Sequence, residues 1–291
     1  MPIPSADEMR NSIRQKLERM FQALHSANES ISVVEGLCPN VRTVKLDFDD
    51  CVEDLLKTFF TDLCNALSRE YSQGTPATID IDWTRFTEES ESSTRARSRR
   101  HRYEEEPDSE RGASAIEELV NAIQFEKIAG DLEQQAATLQ QEGKAILANG
   151  LVSFLGLTLP RSSFKIKSGR ICVDIYSADY WHRYEAVRDY SKFEDGLRDA
   201  RLETEMDFGC AVALLKNAVM EMTYDEQEIP SRTTFGKGAA LEIVCFKSKY
   251  EFRFTRSAFD AIAAYVTLHG NESSVAAVTK LLDELSNQKA A

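Results

Sequence analysis

The sequence predicts an α+β protein, mostly helical, with a small antiparallel sheet in its C-terminal half. Three observations carry that expectation. Long stretches place apolar residues three and four apart, the spacing of one helix face. Two later segments, 163–176 and 240–254, alternate apolar and polar residues around a short Lys, Ser or Gly break, as a hairpin with one buried face does. A helical stripe over residues 256–268 follows the second segment at once. The sequence shows no internal repeat.

Residues 6–36 read as one long helix. Ile13, Leu17, Met20, Phe21, Leu24, Ala27, Ile31 and Val34 share its stripe, and Gly36 with Pro39 stops it. A second helix runs from about Asp49 to Tyr71 on Val52, Leu55, Leu56, Phe59, Phe60, Leu63 and Leu67. Asp47, Asp49 and Asp50 stand at its start, where the helix dipole and capping favour acids. Two stripes with a short connection predict an antiparallel helical hairpin. Gly74-Thr-Pro76 ends that unit, and Ile79-Asp-Ile-Asp-Trp83 alternates briefly.

Residues 88–113 hold almost no apolar side chains and are rich in Ser, Glu and Arg. Burial cannot offset their ordering entropy, so they read as a mobile surface insertion. Replacing them with a Gly/Ser linker is expected to move the thermal midpoint by only a few degrees. Helical stripes return at 113–124, with Ile116, Leu119, Val120 and Ile123. Another covers about 130–154, with Leu132, Ala136, Leu139, Ile146, Leu147 and Leu151, and Pro160 closes it. After the first hairpin, 178–202 reads as a polar, aromatic helix and 206–222 as a more apolar one. A turn-rich segment, 225–238, leads into the second hairpin. A last helix, 272–287, carries Val275, Val278, Leu281, Leu282 and Leu285.

Alternation assigns the sheet's buried face. Phe164, Ile166, Ile171, Val173 and Ile175 from the first hairpin share it with Leu241, Ile243, Cys245, Phe252 and Phe254 from the second. Phe259, Ile262 and Val266 form the helix stripe that covers it. The expected organisation is a helical hairpin region (1–87), a charged insertion (88–113) and a helical and β-hairpin domain (114–291).

The chain has 291 residues, 42 % of them apolar and 29 % charged, which suits a globular protein with a real core. Its 48 acids outnumber 35 bases, for a net charge of −13. Such a surface repels phosphate backbones and lipid headgroups, so a role as a DNA clamp is disfavoured. No apolar run approaches the roughly 20 residues that span a bilayer, and the N-terminus lacks the apolar core of a signal peptide. A cytoplasmic location and no membrane partner are expected. The six cysteines, Cys38, Cys51, Cys64, Cys172, Cys210 and Cys245, form no C-x-x-C pair. They read as small buried apolar residues rather than metal or redox groups.

Candidate chemistry is sparse. Arg95, Arg97, Arg99, Arg100 and Arg102, with His101, make the one dense basic segment. Arg-rich arms bind nucleic acid through phosphates. Glu88, Glu89 and Glu91 before it, and Glu104, Glu105, Glu106, Asp108 and Glu110 after it, favour a self-neutralising solvated loop. A docking arm that orders on a partner is the third reading. Asp80 and Asp82 would point the same way from a strand, as a hard metal requires. A solvent face, with Ile79, Ile81 and Trp83 inward, explains them better. Trp181-His-Arg-Tyr184 offers His182 as a general base, but no nucleophile is linked to it and packing is favoured. His25 and His269 repeat no ligand spacing. Phe235-Gly-Lys-Gly238 reads as a turn, since no strand-then-helix brackets it as a phosphate loop needs. No cofactor is expected, and the balance leans away from an enzyme.

Several segments also carry a family pattern. Asn11 to Ile31 is an N-terminal helix rich in small and apolar residues, and Asp82-Trp83 is a Trp-containing segment. Gly150-Leu-Val-Ser-Phe-Leu-Gly-Leu157 matches a long-helix ending of the form G-hydrophobic-x-x-F-x-x-L. Phe164 and Ile171 fit a following strand. Cys245-Phe-Lys-Ser-Lys-Tyr-Glu-Phe-Arg-Phe-Thr-Arg256 fits a closing hairpin, with Phe246, Lys247, Phe254 and Arg256 at pattern positions. In these respects the chain resembles the domain-of-unknown-function family DUF4942 of phages, plasmids and genomic islands. The family's N-G-N tip and its His are replaced here by Ser248, Lys249, Tyr250 and Glu251.

The resemblance implies an accessory protein of a mobile element. The expected function is non-enzymatic: binding a host or phage protein complex, and so inhibiting or modulating a host defence complex. Arg95, Arg97, Arg99, Arg100, Arg102, Lys247, Lys249 and Tyr250 are the expected contact residues, and homo-oligomers are a further expectation. The alternative is a DNA-transaction accessory, associated with methyltransferases, that touches DNA weakly through the Arg-rich loop. Truncating Lys249, read as the hairpin tip, is expected to cost almost nothing in stability.

Overall fold

Ser5 opens the first helix with a capping box. Its hydroxyl accepts from the Glu8 amide at 3.3 Å, and the Glu8 carboxylate accepts from the Ser5 amide at 2.8 Å. The computed structural model describes residues 1–38, 40, 47–87, 109–158, 164–176, 183–225, 229–247 and 249–287. It divides into two units, Met1–Gln140 and Gln141–Ala291. The expected boundary at the insertion therefore moves: residues 114–140 belong with the first unit.

The first unit holds α1 (Ala6–Leu37), α2 (Phe48–Tyr71), α3 (Ser109–Ala122) and the start of α4 (Phe125–Phe154). Met9, Ile13 and Leu17 of α1 are buried in one core with Leu56, Phe60 and Leu67 of α2, Ile116 and Val120 of α3, and Phe125 and Leu132 of α4. Only the first half of the α1 stripe is buried; Val34 is 43 % and Leu37 77 % exposed. The reason lies at the start of α2. Phe48, its first residue, packs edge-on against Phe21 with ring centroids 5.6 Å apart. About 24 Å of α1 extends past that point, at roughly 1.5 Å per residue.

Asp47 caps α2, accepting from the Asp50 amide at 3.3 Å, as the capping reading required. Among the described residues the alternating stretch around Asp80 pairs with no strand. Instead the Gln135 amide bonds both the N–H and the C=O of Asp80, at 3.1 and 3.0 Å. Ile79 and Ile81 are buried. Asp82 bonds the Thr84 hydroxyl and pairs with Arg85 at the 3-10 turn Trp83–Phe86.

The second unit contains the rest of α4, β1 (Phe164–Lys167), β2 (Arg170–Tyr176), α5 (Arg183–Thr204), α6 (Ala211–Asp225), β3 (Thr234–Phe235), β4 (Leu241–Cys245), β5 (Lys249–Phe254), α7 (Arg256–His269) and α8 (Glu272–Asn287). The strands form one antiparallel sheet in the order β1-β2-β5-β4-β3. Ser168 and Gly169 join β1 to β2 with φ of 49° and 75°, the two positive values of a type I′ hairpin turn. β3 lies inside the segment read only as turn-rich; two residues are too few for a period-2 signal to register.

The register pairs Ile171 and Leu241 with Phe254, and Val173 and Ile243 with Phe252. All six side chains are buried. α7 covers β2 and β5, and α6 covers β3 and β4. Phe259, Ile262 and Val266 are fully buried on α7, as its stripe predicts. Phe154 stacks on Phe193 at 4.2 Å, and Phe252 meets both rings edge-on. Thr255 caps α7, accepting from the Ala258 amide.

Two expectations need correction. Ile166 is 41 % exposed, because β1 is the sheet's edge and lies beyond the best-covered part of the core. Cys38 and Cys210 are exposed, although Cys64, Cys172 and Cys245 are buried. All six are free thiols, and burial pushes the Cys245 thiol up to about 11.

Candidate functional site

The same alternation that buries one half of each strand puts the other half on the opposite face. Here that half is charged: Lys165 and Lys167 from β1, Arg170 and Asp174 from β2, Glu242 from β4, and Lys249, Glu251 and Arg253 from β5. Five cations and three carboxylates thus meet on one sheet face of a chain with net charge −13.

Glu251 lies at the centre, and its side chain has no exposed surface. Its Oε2 accepts from Lys167 at 2.6 Å and lies 3.3 Å from Lys165; its Oε1 accepts from Arg253 at 2.7 Å. Burial alone would raise the carboxyl's pKa. The hydrogen bonds from Lys167, Arg253 and Lys165 outweigh it and hold the group at about 2.

Asp174, with a side chain 6 % exposed, takes Lys165 at 2.8 Å and Lys249 at 2.7 Å on one oxygen. Its other oxygen is buried without a donor among the described residues. Lys165 is raised in turn, chiefly by its hydrogen bond to Asp174. At the far end Arg170 donates to the Ala239 carbonyl at 2.9 Å and lies 3.4 Å from Glu242. Cys172 and Val244 are buried on the same face.

The expected contact residues fall in different places. Lys249 is the first residue of β5 rather than a free tip, tied to Asp174 and 5.5 Å above the Phe246 ring. Its removal would leave Asp174 with Lys165 alone, so the expected near-zero cost does not fit this geometry. Tyr250 sits in register with Ile175 and Cys245 on the inner face, edge-on to Tyr190 at 6.2 Å. Lys247 is exposed in the β4–β5 turn. Arg95, Arg97, Arg99, Arg100, Arg102, His101, Trp181 and His182 lie outside the described residues. Lys165, Lys167, Asp174, Glu251 and Arg253 are not among the expected contact residues. Their signal was the polar half of the alternation, whose apolar half alone was used.

A second polar cluster ties three helices together. Tyr265 donates to Asp199 at 2.5 Å, and one turn on His269 Nε2 lies 2.6 Å from Glu203. Lys144 of α4 also pairs with Glu203. Both rungs use i, i+4 spacing on α5 and on α7. Burial opposes ionisation of Glu203, but hydrogen bonds from Lys144 and His269 lower its pKa overall. His269 Nδ1 is buried and has no hydrogen-bond partner among the described residues. The cluster works as a helix tie. His25 lies 3.3 Å from Glu29 on α1. Among the described residues no group of His, Cys, Asp or Glu could hold a metal ion. Nor is any helix there long and apolar enough to cross a membrane.

No family model, no curated protein and no solved structure matches this chain.

Proposed function

We propose that this protein is a non-enzymatic binding factor, acting by contact with another protein through the outer face of its sheet. The observation that carries the reading is the network around Glu251 and Asp174. Its ion pairs cross β1, β2 and β5, so the charges are fixed in place before any partner arrives. Fixed, patterned charge gives a protein interface its specificity and its rate of encounter. Each of the five cations is already paired with a carboxylate. That pattern suits a mixed-charge protein surface better than duplex DNA, whose binding comes from free cations replacing counterions.

The resemblance to DUF4942 supports the setting, by association only. In that setting the partner is a host or phage protein complex, and the role is to inhibit or modulate a host defence complex. Action in the cytoplasm and self-association belong to the same proposal.

The test is recovery of the tagged full-length protein from its host, with and without nuclease. A stoichiometric protein that survives nuclease, and is lost when Lys165→Glu and Lys167→Glu are combined, is expected. Recovery of DNA that nuclease abolishes would favour the DNA-transaction reading through Arg95, Arg97, Arg99, Arg100 and Arg102. A partner that ignores the charge reversal would place the contact elsewhere.

A further inference from the structure

β1 is an edge. Among the described residues it pairs with β2 on one side and with no strand on the other. Its backbone direction follows from the turn. In the Lys167–Arg170 turn the Lys167 carbonyl and the Arg170 amide are the pair that a β-turn closes. Bonded and non-bonded positions then alternate along an antiparallel ladder. Lys165 and Lys167 therefore turn their amide groups toward β2, while Phe164 and Ile166 turn theirs outward. Side chains alternate on the same count. Lys165 and Lys167 stand on the charged face; Phe164 and Ile166 stand on the core face, where Ile166 is 41 % exposed at the rim.

Edge lysines often serve only to repel other strands. These two are built into the network, with side chains 36 % and 46 % exposed. Each ammonium has three donors; Lys167 is seen to spend one, on Glu251, and Lys165 reaches two carboxylates. Such an edge rejects basic strands and admits acidic ones.

We propose that β1 is a docking edge for an extended polypeptide segment with acidic side chains at alternate positions and apolar ones between. The proposal rests on the protein-binding reading above and names the partner's chemistry. Strand addition supplies main-chain bonds to the outward groups of Phe164 and Ile166. Alternate side chains of an extended segment recur about every 7 Å on one face, which matches Lys165 and Lys167 two residues apart. Opposite charges across a strand pair attract. The intervening apolar side chains cover Ile166 and the rim beside Phe164. A phosphate backbone offers neither the amide edge nor the apolar half of this pattern.

The experiment measures fluorescence anisotropy of a labelled synthetic peptide of alternating isoleucine and aspartate with the full-length protein. An isoleucine–lysine peptide and a duplex DNA are compared with it. The acidic peptide is expected to bind at least about tenfold tighter than either, a difference that shrinks as salt rises. Ile166→Pro removes one outward N–H and spares the ladder to β2, as proline on an edge strand can. It should weaken binding at least about tenfold. Lys165→Gln with Lys167→Gln should do the same, with an unchanged circular dichroism spectrum, and decides the matter if Ile166→Pro fails to fold. Equal binding of the two peptides, preference for DNA, or full binding by folded Ile166→Pro would overturn the proposal. A nuclease-resistant partner retained by Ile166→Pro would sink the edge alone. Failure to recover any partner would sink the protein-binding reading instead.

Discussion

Glu251 shows how one residue can set the acid tolerance of a unit. Its carboxyl titrates near 4.5 when free and at about 2 in the fold. A lowered folded value stabilises the protein above the free value, and that contribution is lost as pH falls from about 4.5 through about 2. Glu203, also lowered, adds to the same acid limb. Glu251→Gln should therefore flatten the fall in stability on the acid side, measured by chemical denaturation across pH. At neutral pH the variant leaves three cations around a neutral amide. A loss of about 1–3 kcal/mol is expected, below that for a wholly buried pair because the cations reach water. Phe254, fully buried and edge-on to Phe259 at 6.1 Å, sets a different scale. Phe254→Ala should cost about 3–5 kcal/mol in the same measurement. Phe254 was legible, since period-2 patterning names the apolar half of a strand. The burial of Glu251 was not, because Arg253 alone among its partners lies on the same strand. Lys165 and Lys167 are brought there from β1 by pairings that sequence does not state.

At the scale of elements, helices were the easiest to read and their contacts the hardest. The stripe of α1 from Ile13 onward was legible, though not the buried Met9 before it, and its burial stops where α2 begins beside Phe21. Periodicity reports which residues face one way, not how far a neighbour extends. Ile166 is the same lesson in a strand, correctly on the inner face but too near the edge to be covered. The approach of α5 to α4 is another contact sequence leaves silent, and it turns on a glycine. A Cβ at Gly196 would lie 2.9 Å from Leu151 Cγ and Cδ2 and 3.3 Å from the Leu147 carbonyl. Leu151 is itself fully buried and has little room to move. Alanine in mid-helix ordinarily gains up to about 1 kcal/mol over glycine. Overpacking costs about 1–3 kcal/mol, so Gly196→Ala should be a net loss in a thermal melt, against its helix propensity.

For the molecule as a whole, hydrophobic patterning predicted the helical α+β fold, while composition set the expected internal boundary at the most polar segment. The boundary between units follows the cores instead, and among the described residues no buried residue belongs to both. Calorimetry should accordingly resolve two transitions. Leu17→Ala should lower one of them and Phe254→Ala the other; a single transition moved by both would show that the cores unfold together.

α4 passes through Gln140 and Gln141 without a break. That continuity decides how the protein can be taken apart. Proteases need an extended stretch in their clefts, and a hydrogen-bonded helix offers none, so digestion is expected to spare this junction. A fragment cut at Gln141 would start in mid-helix, with its first four amides stripped of their partners. Its leading residues, Gln141, Glu142 and Gly143, include no strong capping side chain. A Ser or Asp placed ahead of Gln141 should raise the fragment's melting temperature by an amount that no change in its core could mimic.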